Sequence, residues 1–170
     1  GYTVLYVGHE GHEEAVGTMA VAPESVFLIQ STSDIDEVAL REGPFALLSQ
    51  TTLSLDEWQH LRDYAIEKIP DLWLPNRSDL CFATTNRQAA LREISANADA
   101  VVVIGSANSS NTVALTKVAE NRGAPRVFRV NTAGELPDDL FGVVAVTAGA
   151  SAPESLVNEV LERLNPAEGV

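Results

Sequence analysis

Six short runs rich in β-branched and other apolar residues recur along the chain: Val4–Val7, Val26–Ile29, Phe45–Leu48, Val101–Ile104, Val127–Val130 and Val143–Val146. Most are apolar almost throughout instead of alternating, the pattern of strands covered on both faces of a parallel sheet. Between them lie amphipathic stretches with helix-start signals. Ser54-Leu55-Asp56-Glu57 has the form of a capping box, and Leu55, Trp58, Leu61, Ala65 and Ile69 follow on one helical face. Thr85-Asn86-Arg87-Gln88 opens a second helix in the same way, with Ala90, Leu91 and Ile94 as its apolar side. Ser151-Ala152-Pro153-Glu154 opens the last, with Leu156, Val157, Val160, Leu161 and Leu164 as the buried stripe.

Strand and helix signals in alternation predict an α/β fold, here two similar lobes, each a small parallel sheet flanked by helices. The segment 69–78 carries two prolines and breaks the helical pattern, which sets the expected division at residues 1–77 and 78–165, with 166–170 as a fraying tail.

Charge narrows the function. With 24 acidic and 11 basic side chains the net charge is -13, which argues against a nucleic-acid partner or a basic membrane patch. The lobes share it unevenly, net -10 over residues 1–80 and -3 over 81–170. No apolar run approaches the roughly 18 to 20 residues of a membrane span, and no signal-peptide layout opens the chain, so a cytoplasmic protein is expected. The single cysteine, Cys81, allows no internal disulfide and fits a reducing compartment.

Candidate chemistry collects after the strands. In parallel α/β sheets ligands bind beyond the carboxyl ends of strands, where helix N-termini present free N–H groups. Four such turns are rich in small polar residues: Gly8 to Glu14, Ser49 to Thr52, Gly105 to Asn111 and Thr147 to Ser151. A helix cap needs one Ser, Thr or Asn, yet Asn108-Ser109-Ser110-Asn111 offers four in succession. The surplus suits an anion such as phosphate or diphosphate held by neutral donors. Neither G-x-G-x-x-G after a strand nor G-x-x-x-x-G-K-[ST] occurs, which disfavours NAD, FAD and ATP. His9-x-x-His12-x-Glu14 has zinc-compatible residue types but no further ligand nearby. At a strand end His12 could instead donate to an anion and Glu14 deliver a proton. His60 reads as a surface residue. Cys81 stands before a helix N-terminus, which would favour a thiolate, but its apolar neighbours Leu80, Phe82 and Ala83 also suit a buried thiol.

Together these segments resemble the 4-hydroxy-3-methylbut-2-enyl diphosphate reductase family. The resemblance rests on Gly8-His9-Glu10-Gly11-His12-Glu13-Glu14 with Gly17-Thr18-Met19, Gln50-Thr51-Thr52-Leu53-Ser54 and Cys81-Phe82-Ala83-Thr84-Thr85-Asn86-Arg87-Gln88. It continues through Gly105-Ser106-Ala107-Asn108-Ser109-Ser110-Asn111 and Val146 to Pro153.

The resemblance implies three α/β lobes around a cavity and reductive removal of an allylic hydroxyl at a [4Fe-4S] cluster, giving isopentenyl and dimethylallyl diphosphate. A ferredoxin or flavodoxin type partner would supply the electrons. It implies Cys81 as one of three cluster ligands, Glu14 with Thr51 as the proton relay, and His12, Ser109, Ser110, Asn111 and Ser151 as diphosphate contacts. His9 and Glu13 receive no role from it.

Two cluster cysteines and an N-terminal lobe of the family pattern have no counterpart here, and Ala20 and Phe82 replace its usual glycine and tyrosine. The expectation is a C-terminal fragment that alone holds no stable cluster and turns over no substrate. Surface left bare by a missing lobe would offer a homodimer contact. The competing expectation is a non-enzymatic α/β module binding a phosphorylated ligand or acting as a scaffold.

Overall fold

The computed structural model describes residues 1–76 and 79–164. The expected fraying of the tail, and Arg77 and Ser78 at the expected division, lie outside the described residues. The chain divides into two compact units, Gly1–Cys81 and a second beginning at Phe82.

The first unit runs β1 (Thr3–Val7), α1 (Glu13–Val21), β2 (Val26–Ile29), α2 (Thr32–Val38), β3 (Phe45–Ser49) and α3 (Leu55–Lys68). Its three strands are parallel in the order β2-β1-β3. Leu5, Val7, Ile29 and Leu47 form one face of this sheet and pack with Ile35 and Val38 of α2 and Trp58, Leu61 and Ala65 of α3. Ser54 caps α3 as its sequence predicts, accepting the Glu57 N–H at 3.2 Å. Ser31 and Asp34 form a reciprocal capping box at α2.

The second unit runs α4 (Phe82–Ser95), β4 (Ala100–Ile104), α5 (Ser110–Asn121), β5 (Val127–Val130), a short 3-10 turn (Ala133–Glu135), β6 (Val144–Ala148) and α6 (Glu154–Leu164). Its strands are also parallel, in the order β5-β4-β6. The central strand β4 is buried along its whole length, and its two faces feed separate clusters. Val101 and Val103 meet Leu91, Leu115 and Val118, while Val102 and Ile104 meet Val130, Leu136 and Val160. This two-sided burial is why the strand reads as an unbroken apolar run.

Two helical expectations need correction. Thr85-Asn86-Arg87-Gln88 lies inside α4, which starts at Phe82, and the Thr85 hydroxyl donates to the Phe82 carbonyl in the first turn. The buried stripe of α4 is Thr84, Gln88, Leu91 and Ser95, at helical spacing, whereas Ala90 and Ile94 face solvent. Polar side chains occupy the inward positions, so an apolar pattern alone picks the wrong face. Leu161 of α6 is likewise exposed at 45%, although Leu156, Val157, Val160 and Leu164 do pack inward.

The α4 assignment makes a stability prediction. Leu91→Ala should cost about 2–5 kcal/mol because it empties a buried site, while Ile94→Ala should cost about 1 kcal/mol or less, as expected away from a core. Urea unfolding of the two variants decides which residue carries the face.

Candidate functional site

In both units the first strand is central, so the chain crosses to one side and then returns to the other. That order creates a switch point beyond the carboxyl ends of β1 and β3, and another beyond β4 and β6. The polar turns singled out in the sequence occupy both.

In the first unit, Gly8 follows β1 because there is no room for a side chain. A Cβ there would fall 2.9 Å from the Tyr6 ring and 3.2 Å from Gln50 Oε1. Burial pushes the Tyr6 phenol up; the Thr18 side chain works against this, and Glu14 and Asp79 add to it. Gly11 adopts φ 77°, reversing the loop into α1. His12 then caps the helix, its Nδ1 accepting the Glu14 N–H at 3.2 Å. With Nδ1 acting as acceptor, the neutral ring carries its proton on Nε2 and presents a donor.

Glu14 lies in the first turn of α1. Its carboxylate accepts the Thr51 N–H at 3.1 and 3.2 Å and the Thr51 hydroxyl at 3.0 Å. The Thr51 carbonyl accepts the Cys81 N–H at 3.1 Å. Asp79 anchors the same segment by accepting the Ser49 N–H at 3.1 Å. His12, Glu14, Thr51 and Cys81 are therefore joined by one run of hydrogen bonds. Cys81 is exposed, which removes the buried-thiol alternative.

Two residues without an expected role hold this arrangement together. Gln50 is fully buried; its Oε1 accepts the His9 N–H at 3.0 Å and its Nε2 donates to Thr52 Oγ1 at 3.0 Å. The His9 ring meets Glu57 Oε1 of α3 at 3.1 Å through Nε2. With His9 turned to α3 and His12 to α1, the zinc-compatible triad does not converge, and no group of three such ligands forms among the described residues.

In the second unit the donors are neutral. Ser106 Oγ accepts the Asn108 N–H at 3.1 Å, and Ser109 caps α5 by accepting the Thr112 N–H at 3.4 Å. Arg129 of β5 braces the turn by donating to the Gly105 carbonyl at 3.0 Å. Ser110 opens α5, where the first backbone N–H groups have no partner within the helix. Asn111 follows, only 5% exposed, and neither its amide nitrogen nor its amide oxygen has a hydrogen-bond partner among the described residues. A buried amide with both ends unsatisfied is costly, about 1–3 kcal/mol for each group, and calls for an explanation such as a ligand. Ser151 is exposed in the turn after β6, closed by the Ala152 N–H donating to the Gly149 carbonyl at 3.0 Å. That turn lies beside the β4 turn because β4 and β6 pair as far as Ile104 and Ala148. His60 is exposed on α3, as expected.

Each unit is thus an open parallel α/β lobe that gathers polar turns at its switch point, the class of fold that binds small ligands there. The family model described as the LytB protein matches residues 1–165, and the chain belongs to that family. It is 45% identical over 165 residues to a 4-hydroxy-3-methylbut-2-enyl diphosphate reductase of Cutibacterium acnes, covering 95% of this chain and 51% of that protein. A reductase of the same name from Leifsonia xyli is 46% identical over 167 residues, covering 96% and 50%.

Among solved structures, the E-1-hydroxy-2-methyl-but-2-enyl-4-diphosphate reductase of Plasmodium falciparum matches with a TM-score of 0.92 and 29% identity, over 98% of this chain and 54% of that one. A second solved diphosphate reductase, described as the terminal enzyme of the non-mevalonate pathway, matches with a TM-score of 0.53 and 26% identity, over 98% and 60%. The chain spans about half the length of the curated relatives it matches.

The buried role of Gln50 is testable. Gln50→Leu should destabilise the chain by about 1–3 kcal/mol, because the His9 N–H loses its acceptor. Hydrogen exchange at the His9 amide should accelerate as the loop loosens. Unchanged exchange would show that Gln50 does not hold it.

Proposed function

We propose that this chain supplies part of a 4-hydroxy-3-methylbut-2-enyl diphosphate reductase, an oxidoreductase of isoprenoid biosynthesis acting in the cytoplasm. The reaction replaces the allylic C–O bond with C–H, consumes two electrons and two protons, and releases the hydroxyl as water. The observation that carries this reading is the hydrogen-bonded run from Cys81 through Thr51 to Glu14. It ties the backbone of the thiol-bearing residue to the residue that carries a relay hydroxyl and an acid, all in one lobe.

Glu14 would give the proton that lets the hydroxyl depart. Its bond to the Thr51 hydroxyl supports this, since that hydroxyl can accept from a protonated Glu14 while donating onward. Cys81 would hold one iron of a [4Fe-4S] cluster. Its exposed side chain and anchored backbone fit a ligand, and the chain contributes this single thiolate. When bound, such a cluster supplies the electrons and an iron with an open position for the substrate hydroxyl. The electrons would arrive from a ferredoxin or flavodoxin type donor.

Within the second unit the diphosphate would fall to Ser109, Ser110, Asn111 and Ser151, and within the first His12 would offer Nε2 as a donor. Support comes from the unsatisfied Asn111 amide at the N-terminus of α5, where the helix dipole favours an anion. Against a net charge of -13, recognition has to be local. A single cysteine also favours a second reading, an anion-binding module without redox chemistry.

Calorimetry with inorganic pyrophosphate should show binding, and Asn111→Ala should weaken it about tenfold, as expected for losing a buried donor. Anaerobic treatment with iron and sulfide should give no stoichiometric cluster absorbance in this chain. Absence of pyrophosphate binding would contradict the anion site, and a stoichiometric cluster lost in Cys81→Ser would contradict the one-thiolate account.

A further inference from the structure

We infer that Thr112 sets the spacing between the two strand-end turns of the second unit and so positions the donors of the anion site. This rests on the diphosphate reading above. Thr112 is the third residue of α5 and fully buried. Gly105 and Gly149, which directly follow β4 and β6, leave no room for a side chain beside its hydroxyl. A Cβ on either glycine would overlap Thr112 Oγ1.

The residues that directly follow two paired strands are thus both set against one atom of the helix. The turns are also tied to each other, since the Gly149 N–H donates to the Ile104 carbonyl at 2.8 Å. The Thr112 hydroxyl has no hydrogen-bond partner among the described residues, so it acts here through its volume. Its backbone is held within its own helix, the N–H by Ser109 Oγ at 3.4 Å and the carbonyl by the Thr116 hydroxyl at 3.0 Å. A shift at Gly149 therefore moves Ser151, two residues on, relative to Ser109, Ser110 and Asn111.

The geometry allows the volume to be exchanged at one glycine only. Gly105 has φ 146°, a conformation other residues resist, and a Cβ there would also lie 3.1 Å from Thr112 Cγ2 and 3.3 Å from its Cβ. At Gly149 the backbone is outside the left-handed region, and the next atom of Thr112 after Oγ1 is its Cβ at 3.6 Å, an ordinary contact. An alanine methyl at position 149 can therefore take the place of the Thr112 hydroxyl.

The test is a size-swap cycle read by pyrophosphate calorimetry, with thermal unfolding alongside. Gly149→Ala should weaken binding about tenfold and Thr112→Ala about threefold, while the double variant should bind within about threefold of wild type. A merely structural role would not restore affinity. Losses that add in the double variant, or single variants with unchanged affinity, would overturn the inference while wild-type binding upholds the anion site. A wild type that binds no pyrophosphate overturns the site and the inference with it. If Gly149→Ala does not fold, recovery of folding and binding in the double variant supports the spacing role, and failure to recover overturns it.

Discussion

The order of strands is the constraint on which the rest depends. With the first strand of each unit in the centre, successive crossovers must leave to opposite sides, and the carboxyl ends of the first and third strands are left with a crevice between their loops. His12, Glu14 and Thr51 stand at one of these points, and Ser109, Ser110, Asn111 and Ser151 at the other. The two units solve the same geometric problem with different chemistry: acid and thiol in the first, neutral donors in the second.

Rigidity at these points comes from buried polar groups. Gln50, in the loop after β3, holds the loop after β1 through the His9 N–H, and Glu14 ties α1 to the loop after β3 through Thr51. In the second unit close contact adds to hydrogen bonding, with Gly105 and Gly149 both set against Thr112. Both devices use the interior, where a displaced polar group or a misplaced methyl is felt at once.

Much of this was legible in the residues. The all-apolar run 101–104 predicted a strand buried on both faces, and β4 is one. The four polar turns and their candidate donors were visible because caps and small polar residues have a sequence signature. The inward face of α4 was not, because Thr84, Gln88 and Ser95 are polar and buried. Hydrophobic periodicity has no means of finding an inward polar side chain. The work of Gln50 and His9 was equally hidden, since their partners lie dozens of positions away in sequence and meet them only when β1 and β3 pair. The unsatisfied amide of Asn111 is a property of burial, which the run Asn108–Asn111 suggests only as a surplus of donors.

In so acidic a chain the anion site proposed at the start of α5 depends on donors fixed in place. Amide-detected NMR during a pyrophosphate titration tests it most directly. The largest shifts are expected at the Ser110 and Asn111 backbone amides, the Asn111 side-chain amide and the turn around Ser151. Shifts confined to surface arginines and lysines, or none at the start of α5, would contradict it.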